Sequence, residues 1–208
     1  MKKSLVVLAA LLLNACVGGI RGGPSPTVFD FGLPASRLVP NETWSRLALD
    51  VKSPPWFDSF FIDYRLAYED PLKQREYAGS RWAGAPGALL TQRLRQQLGV
   101  VPVSGNLAVD CLLRVELQAF SQVFDSPQQS HGLLQANVSL IDNKRQLVAE
   151  RQVTIEKSAI TADAHGGVIA LVSASDAFGQ QLVEWLGILE KDNALRTCLP
   201  IPAPASKP

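Results

Sequence analysis

The sequence predicts an α+β fold: a mixed or mostly antiparallel sheet of about five strands with two helices packed on one face, in the order β-β-α-β-β-β-α. Two observations lead there. Three consecutive segments between Cys111 and Glu156 alternate apolar and polar residues with period two, the mark of strands buried on one face. Two other segments, Pro86 to Leu98 and about Gly167 to Leu189, repeat apolar residues every three to four positions, the mark of helices covering that face.

Taken in order, Trp44 to Val51 is a strand with Leu47, Leu49 and Val51 on one face, broken by Ser53-Pro54-Pro55. Phe60 to Tyr68 is a second strand, rich in aromatic and branched residues. Pro86 then opens a helix, Leu90, Leu94 and Leu98 form its stripe, and Gly99 caps it; Arg93, Arg95, Gln96 and Gln97 fall off that stripe. In the third strand Cys111, Leu113, Val115, Leu117 and Ala119 alternate with Arg114, Glu116 and Gln118. Leu134, Ala136, Val138 and Leu140 alternate in the fourth, a turn follows at Asp142 to Arg145, and Leu147 to Glu156 is the fifth, with Val153 and Ile155 inward. In the last helix Val168, Leu171, Val172, Phe178, Leu182, Trp185 and Leu189 make one broad stripe.

The ends have a different character. Met1-Lys2-Lys3 is cationic and Leu5 to Leu13 is uninterruptedly apolar, which suits a signal-peptide core and falls far short of the roughly 20 residues a spanning helix needs. Leu13-Asn14-Ala15-Cys16 resembles a bacterial lipobox. That resemblance implies a lipoprotein signal peptide over 1–15, cleavage before Cys16, and covalent diacylglycerol and N-acyl chains such as palmitate on Cys16; the other reading is a plain secretory signal with an incidental cysteine. Several acyl chains anchor firmly where one does so only marginally. Val17 follows the cysteine, and by resemblance to Gram-negative lipoproteins a residue other than Asp there favours the outer membrane, facing the periplasm. Val17 to Thr27 holds four glycines and two prolines in eleven residues, a flexible tether with a reach of about 20 Å. The domain is expected over 28–198, with a proline-rich, extended tail over 199–208.

Removal of Lys2 and Lys3 with the signal leaves 18 basic against 19 acidic residues, a formal charge of −1. A near-neutral chain gives no electrostatic case for nucleic acid. Two cysteines remain after Cys16. In an oxidising compartment Cys111 and Cys198 are expected to form a disulfide, the alternative being two separate buried thiols.

Nothing points to catalysis. His131 and His165 lack metal-ligand spacing with any Cys, Asp or Glu and read as solvated or capping residues. No nucleophile elbow, dinucleotide fingerprint or phosphate loop is present. Asp58, Asp63, Glu69 and Asp70 read as surface charge. The expectation is therefore a non-enzyme with no metal and no cofactor beyond the lipid on Cys16. Contact chemistry is better represented. Tyr64 and Arg65 lie in the second strand, and Tyr77 to Pro86 mixes aromatic, arginine and glycine residues ahead of the first helix. Tyr64 in that strand and, with the later segment read as a loop, Tyr77, Arg81 and Trp82 are candidate partner-binding residues; the competing reading packs Tyr77 and Trp82 over the helix.

The lipobox-like start, YRLAY, YAGSRWAGAPGALLTQRLRQQL, VELQAFSQVFD, LIDNKRQLVAERQVTIEKSA and a helix ending near Val183 to Leu186 together resemble the ABC-type transport auxiliary lipoproteins, the family of paraquat-inducible protein C. The similarity runs from about Thr27 to Leu189, and Arg81-Trp82-Ala83 with Pro86 is its most specific part. It implies a non-catalytic envelope adaptor working beside a protein with mammalian-cell-entry domains that moves lipid between membranes, with several copies forming a homo-oligomer around its ring. The alternative is a carrier holding a lipid or other hydrophobe between sheet and helices.

Overall fold

The computed structural model describes residues 25–33, 35–40, 44, 46–102, 110–196 and 198. The signal segment, Cys16, most of the tether and the tail lie outside the described residues. The fold is α+β, as the sequence predicts: two helices lie against one face of a mixed sheet that has eight strands among the described residues.

The strands are β1 (Thr27–Phe29), β2 (Leu47–Lys52), β3 (Phe61–Leu66), β4 (Gln74–Trp82), the two-residue β5 (Val101–Pro102), β6 (Cys111–Ser126), β7 (Gln129–Asp142) and β8 (Leu147–Ser158). The helices are α1 (Pro86–Leu98) and α2 (Ala164–Lys191). β6, β7 and β8 form the antiparallel meander read from the alternation. The long β6 carries two strands in tandem on its other side, both parallel to it: β2 along Cys111 to Glu116 and β3 along Gln122 to Phe124. β4 pairs antiparallel with β3, and β1 pairs parallel with β4.

Three features correct the sequence reading. Gln74 to Trp82 is a strand, not a loop. Its identity is obscured because the register against β3 is broken: Phe61 opposes Arg81 while Asp63 opposes Glu76, so β4 takes five steps to two on β3. Thr27, read as the end of the tether, begins β1. The third strand continues seven residues past Ala119, and a bulge between Leu117 and Ala119 inverts its parity. Before the bulge Leu113, Val115 and Leu117 face the helices; after it Phe120, Gln122 and Phe124 do.

The helix ends follow from local chemistry. Pro86 takes the first position of α1, and Gly99 ends it in the left-handed region at φ 66°, its N–H donating to the Arg95 carbonyl. Asp163 caps α2, its Oδ1 accepting from the Gly166 N–H at 2.8 Å; that bond, ahead of the Thr161 hydroxyl, holds the carboxyl below its usual range. Gly132 on β7 lets α2 approach closely, since a Cβ there would stand 2.8 Å from the backbone of Ala170 and Leu171.

The core lies between sheet and helices. Leu134, Ala136, Val138 and Leu140 on β7 and Leu171, Phe178 and Leu182 on α2 are fully buried. Arg93 and Gln97, expected off the apolar stripe of α1, are also buried, because Asp176 on α2 meets both. Among the described residues, no helix is long and apolar enough to cross a membrane.

Candidate functional site

Cys16 lies outside the described residues. Cys111 and Cys198 are bonded, with Cα atoms 5.0 Å apart across a sequence separation of 87. The bond joins the start of β6 to the segment after α2, and both cysteines are buried in the main core.

The four candidate contact residues divide between interior and surface. Trp82, at the end of β4, is 1% exposed, with its ring 5.7 Å from Phe31 and 5.8 Å from Phe120. It is a core residue, so the recognition role considered for it gives way to the packing one. Tyr64 and Tyr77 lie on adjacent strands with ring centroids 4.5 Å apart, and Phe124 meets Tyr64 edge-on at 5.8 Å. Both tyrosines are half-buried. The Tyr77 hydroxyl donates to Gln122 Oε1 at 2.9 Å, and Gln122 Nε2 donates to Ser130 Oγ at 2.8 Å. Gln122 faces the core because of the β6 bulge, and it lies against Gly167 of α2. Burial, ahead of Tyr64 and Asp163, pushes the Tyr77 hydroxyl above its usual range, so it remains a neutral donor. Of the four, Arg81 alone is exposed.

Asp63 also departs from expectation. It is buried rather than surface charge, and Gln74 Nε2 donates to its Oδ2 at 2.8 Å. Burial first, then the opposing Glu76, pushes its carboxyl up to about 6, with Arg65 acting the other way. The histidines are apart. His131 on β7 pairs with Asp125 at 2.9 Å, and the His165 ring lies 6.0 Å from that of Phe29. Among the described residues, no three of His, Cys, Asp and Glu come together as metal ligands would.

The outer face of the sheet, away from the helices, holds what sequence reasoning missed. Val28, Arg81 and Phe61 are register partners across β1, β4 and β3, so they form a row on one face. All three are exposed, whereas Phe29 and Trp82, one residue on in β1 and β4, turn toward the core. Trp56 is 78% exposed on a short 3-10 turn, Pro55–Phe57, where the chain leaves β6 between β2 and β3. It lines a cleft of about 410 Å³ with Lys52, Pro54, Glu116, Leu117 and Gln118. A tryptophan directly after two prolines was a signal for this, since prolines cannot donate to a ladder and so take the chain out of the sheet at that point. Elsewhere that face is polar, with Asn137 donating to Glu150 and Gln152 to Gln118.

Comparison with known proteins adds the fold. No family model matches the chain, and no curated protein matches it. A crystal structure of a Xanthomonas campestris protein of the family DUF330 aligns with a TM-score of 0.65 at 19% identity, over 81% of this chain and 99% of that one. The crystal structure of an uncharacterised protein aligns at 0.61 and 16% identity, over 78% and 99%. A lipoprotein from Neisseria meningitidis, at 14% identity over 66% and 96%, reaches only 0.27, too slight a likeness to carry an argument. The first two establish that this architecture recurs, nearly whole, in chains of very different sequence.

Proposed function

We propose that this chain is a lipoprotein of the bacterial envelope, anchored by acyl chains on Cys16 in the outer membrane and facing the periplasm, and that it acts there as a non-catalytic adaptor. Its partner in this reading is a mammalian-cell-entry-domain protein of an intermembrane lipid transport system, engaged by several copies of the chain around a ring. The anchor rests on the apolar run and Leu13-Asn14-Ala15-Cys16. The partner rests on the sequence resemblance described above.

The observation that carries the adaptor reading over the carrier reading is the filled interior. Leu134, Ala136, Val138 and Leu140 meet Leu171, Phe178 and Leu182 in one continuous cluster, every one of them fully buried. A carrier needs a ligand-sized space there, of roughly 300 Å³ or more. The cleft beside Phe31 and Arg93 holds only about 70 Å³, and the 410 Å³ cleft at Trp56 opens on the outer face of the sheet, not between sheet and helices.

The test is purification of the full-length protein from envelopes under mild detergent. The adaptor reading expects a mammalian-cell-entry-domain protein in the eluate and no stoichiometric lipid in the organic extract beyond the acyl chains on Cys16. Stoichiometric extractable lipid with no such partner would transfer the assignment to a carrier.

A further inference from the structure

The outer-face row ends where the chain from Cys16 arrives. β1 begins at Thr27, eleven residues after Cys16, and Val28 is its second residue. Eleven residues span at most about 40 Å, so a lipid on Cys16 keeps β1 within that distance of the bilayer and lets the row reach its surface. We infer that the row Val28–Arg81–Phe61, together with Trp56, rests on the surface of the bilayer that holds the Cys16 acyl chains. The inference deepens the proposed function and rests on its anchor.

The chemistry of the row suits a membrane interface. Val28 and Phe61 flank Arg81, one strand away on either side, about 5 Å each. Two exposed apolar side chains therefore bracket a guanidinium, which suits headgroup phosphate between shallowly inserted apolar groups. Trp56 belongs to the same surface. Extending the β3–β6 register from Tyr64↔Gln122 sets Phe61 level with Ala119, next to the Gln118 that lines the Trp56 cleft. Exposed tryptophan at an interface is an established anchor, with an apolar body and an N–H that stays wet. The polar remainder of the outer face, with Glu150 and Gln152, would stay in water, which gives the domain one preferred tilt rather than free tumbling.

Trp56 reads this contact by itself. Of the four tryptophans in the chain, Trp44, Trp82 and Trp185 are buried. Iodide quenching of the folded protein therefore reports Trp56 almost alone. The full-length gene product, purified from membranes, is reconstituted into phosphatidylethanolamine–phosphatidylglycerol vesicles and compared with the Cys16→Ser chain free in buffer. The inference expects iodide quenching to fall about threefold or more on vesicles, with shallow quenching by brominated lipid at a depth of about 5–10 Å. Phe61→Ser with Arg81→Glu, both at exposed positions, should restore iodide access without lowering the melting temperature.

Full iodide access on vesicles overturns the inference. Protection that appears only when a mammalian-cell-entry-domain protein is added also overturns it, and gives the row to a protein instead. Failure of the anchor is read separately, by mass spectrometry of Cys16. If that residue is unacylated, the same chain is coupled through the Cys16 thiol to maleimide-bearing lipid. Cys111 and Cys198 are joined to each other, so coupling is confined to Cys16. The same two quenching outcomes then decide the surface.

Discussion

Arg93 of α1 and Asp176 of α2 meet as a bidentate pair, with Arg93 Nε donating to Oδ1 at 2.7 Å and Nη2 donating to Oδ2 at 2.9 Å. The arginine side chain is 9% exposed and the aspartate 37%, so the guanidinium is the group that burial puts at risk. Its Nη1 donates to the Leu33 carbonyl, and Gln97 Nε2 donates to the same aspartate. Asp176→Ala strands the arginine in the helix interface and should cost about 2 kcal/mol. Asp176→Asn keeps an acceptor and should cost less. Urea unfolding of the two variants measures the difference, and equal, negligible losses would mean the pair is incidental.

Trp82→Ala should behave as a core truncation. The ring fills space between Phe31 and Phe120, so its loss should cost about 3–5 kcal/mol. Thermal unfolding measures this. A variant with unchanged stability and weakened partner capture would instead return Trp82 to the recognition role.

Asp63 makes stability depend on pH in the direction opposite to an ordinary paired carboxylate. Its carboxyl binds a proton more tightly folded, at about 6, than at the unpaired value of 3.8. The folded state is therefore favoured by protonation, fully below pH 3.8, and this contribution is lost as pH rises through about 6. Asp63→Asn keeps an acceptor for Gln74 and carries no charge opposite Glu76. It should melt higher than the parent at pH 7.5, with the gap closing near pH 4. A gap independent of pH would show that Asp63 is not the titrating group.

Reduction of the disulfide should destabilise the native protein by up to about 4.5 kcal/mol, the chain-entropy value for so long a loop. Guanidinium unfolding with and without a thiol reductant checks it. Coincident curves would mean that packing of the post-α2 segment, through Leu195, already holds it in place.

The meander and the two helices were legible because their signals are local. Leu134 to Leu140 alternate without interruption, and Pro86 and Gly99 mark both ends of α1 by backbone chemistry alone. β4 was not legible. Its pairing breaks between Arg81 and Glu76, so Tyr77 and Trp82 read as loop aromatics although one is half-buried and the other is core. The bulge near Ala119 hid the inward turn of Gln122, whose partners Tyr77 and Ser130 come from other strands. Arg93 and Gln97 were misplaced for a related reason: the carboxylate that makes their burial tolerable is about 80 residues away in the chain. In each case what decides is a neighbour on another strand or helix, and periodicity within one element carries no information about it.

The tandem seating of β2 and β3 along β6 also orders events in time. Leu47 finds its partner at Cys111 and Tyr64 finds its own at Gln122, so β2 and the β1–β4–β3 group have nothing to join them until that central ribbon has been synthesised. Pairings between such distant segments form slowly. A nascent chain paused before residue 111 would hold its amino-terminal strands uncompleted, and those are the stretches a chaperone would have to shield.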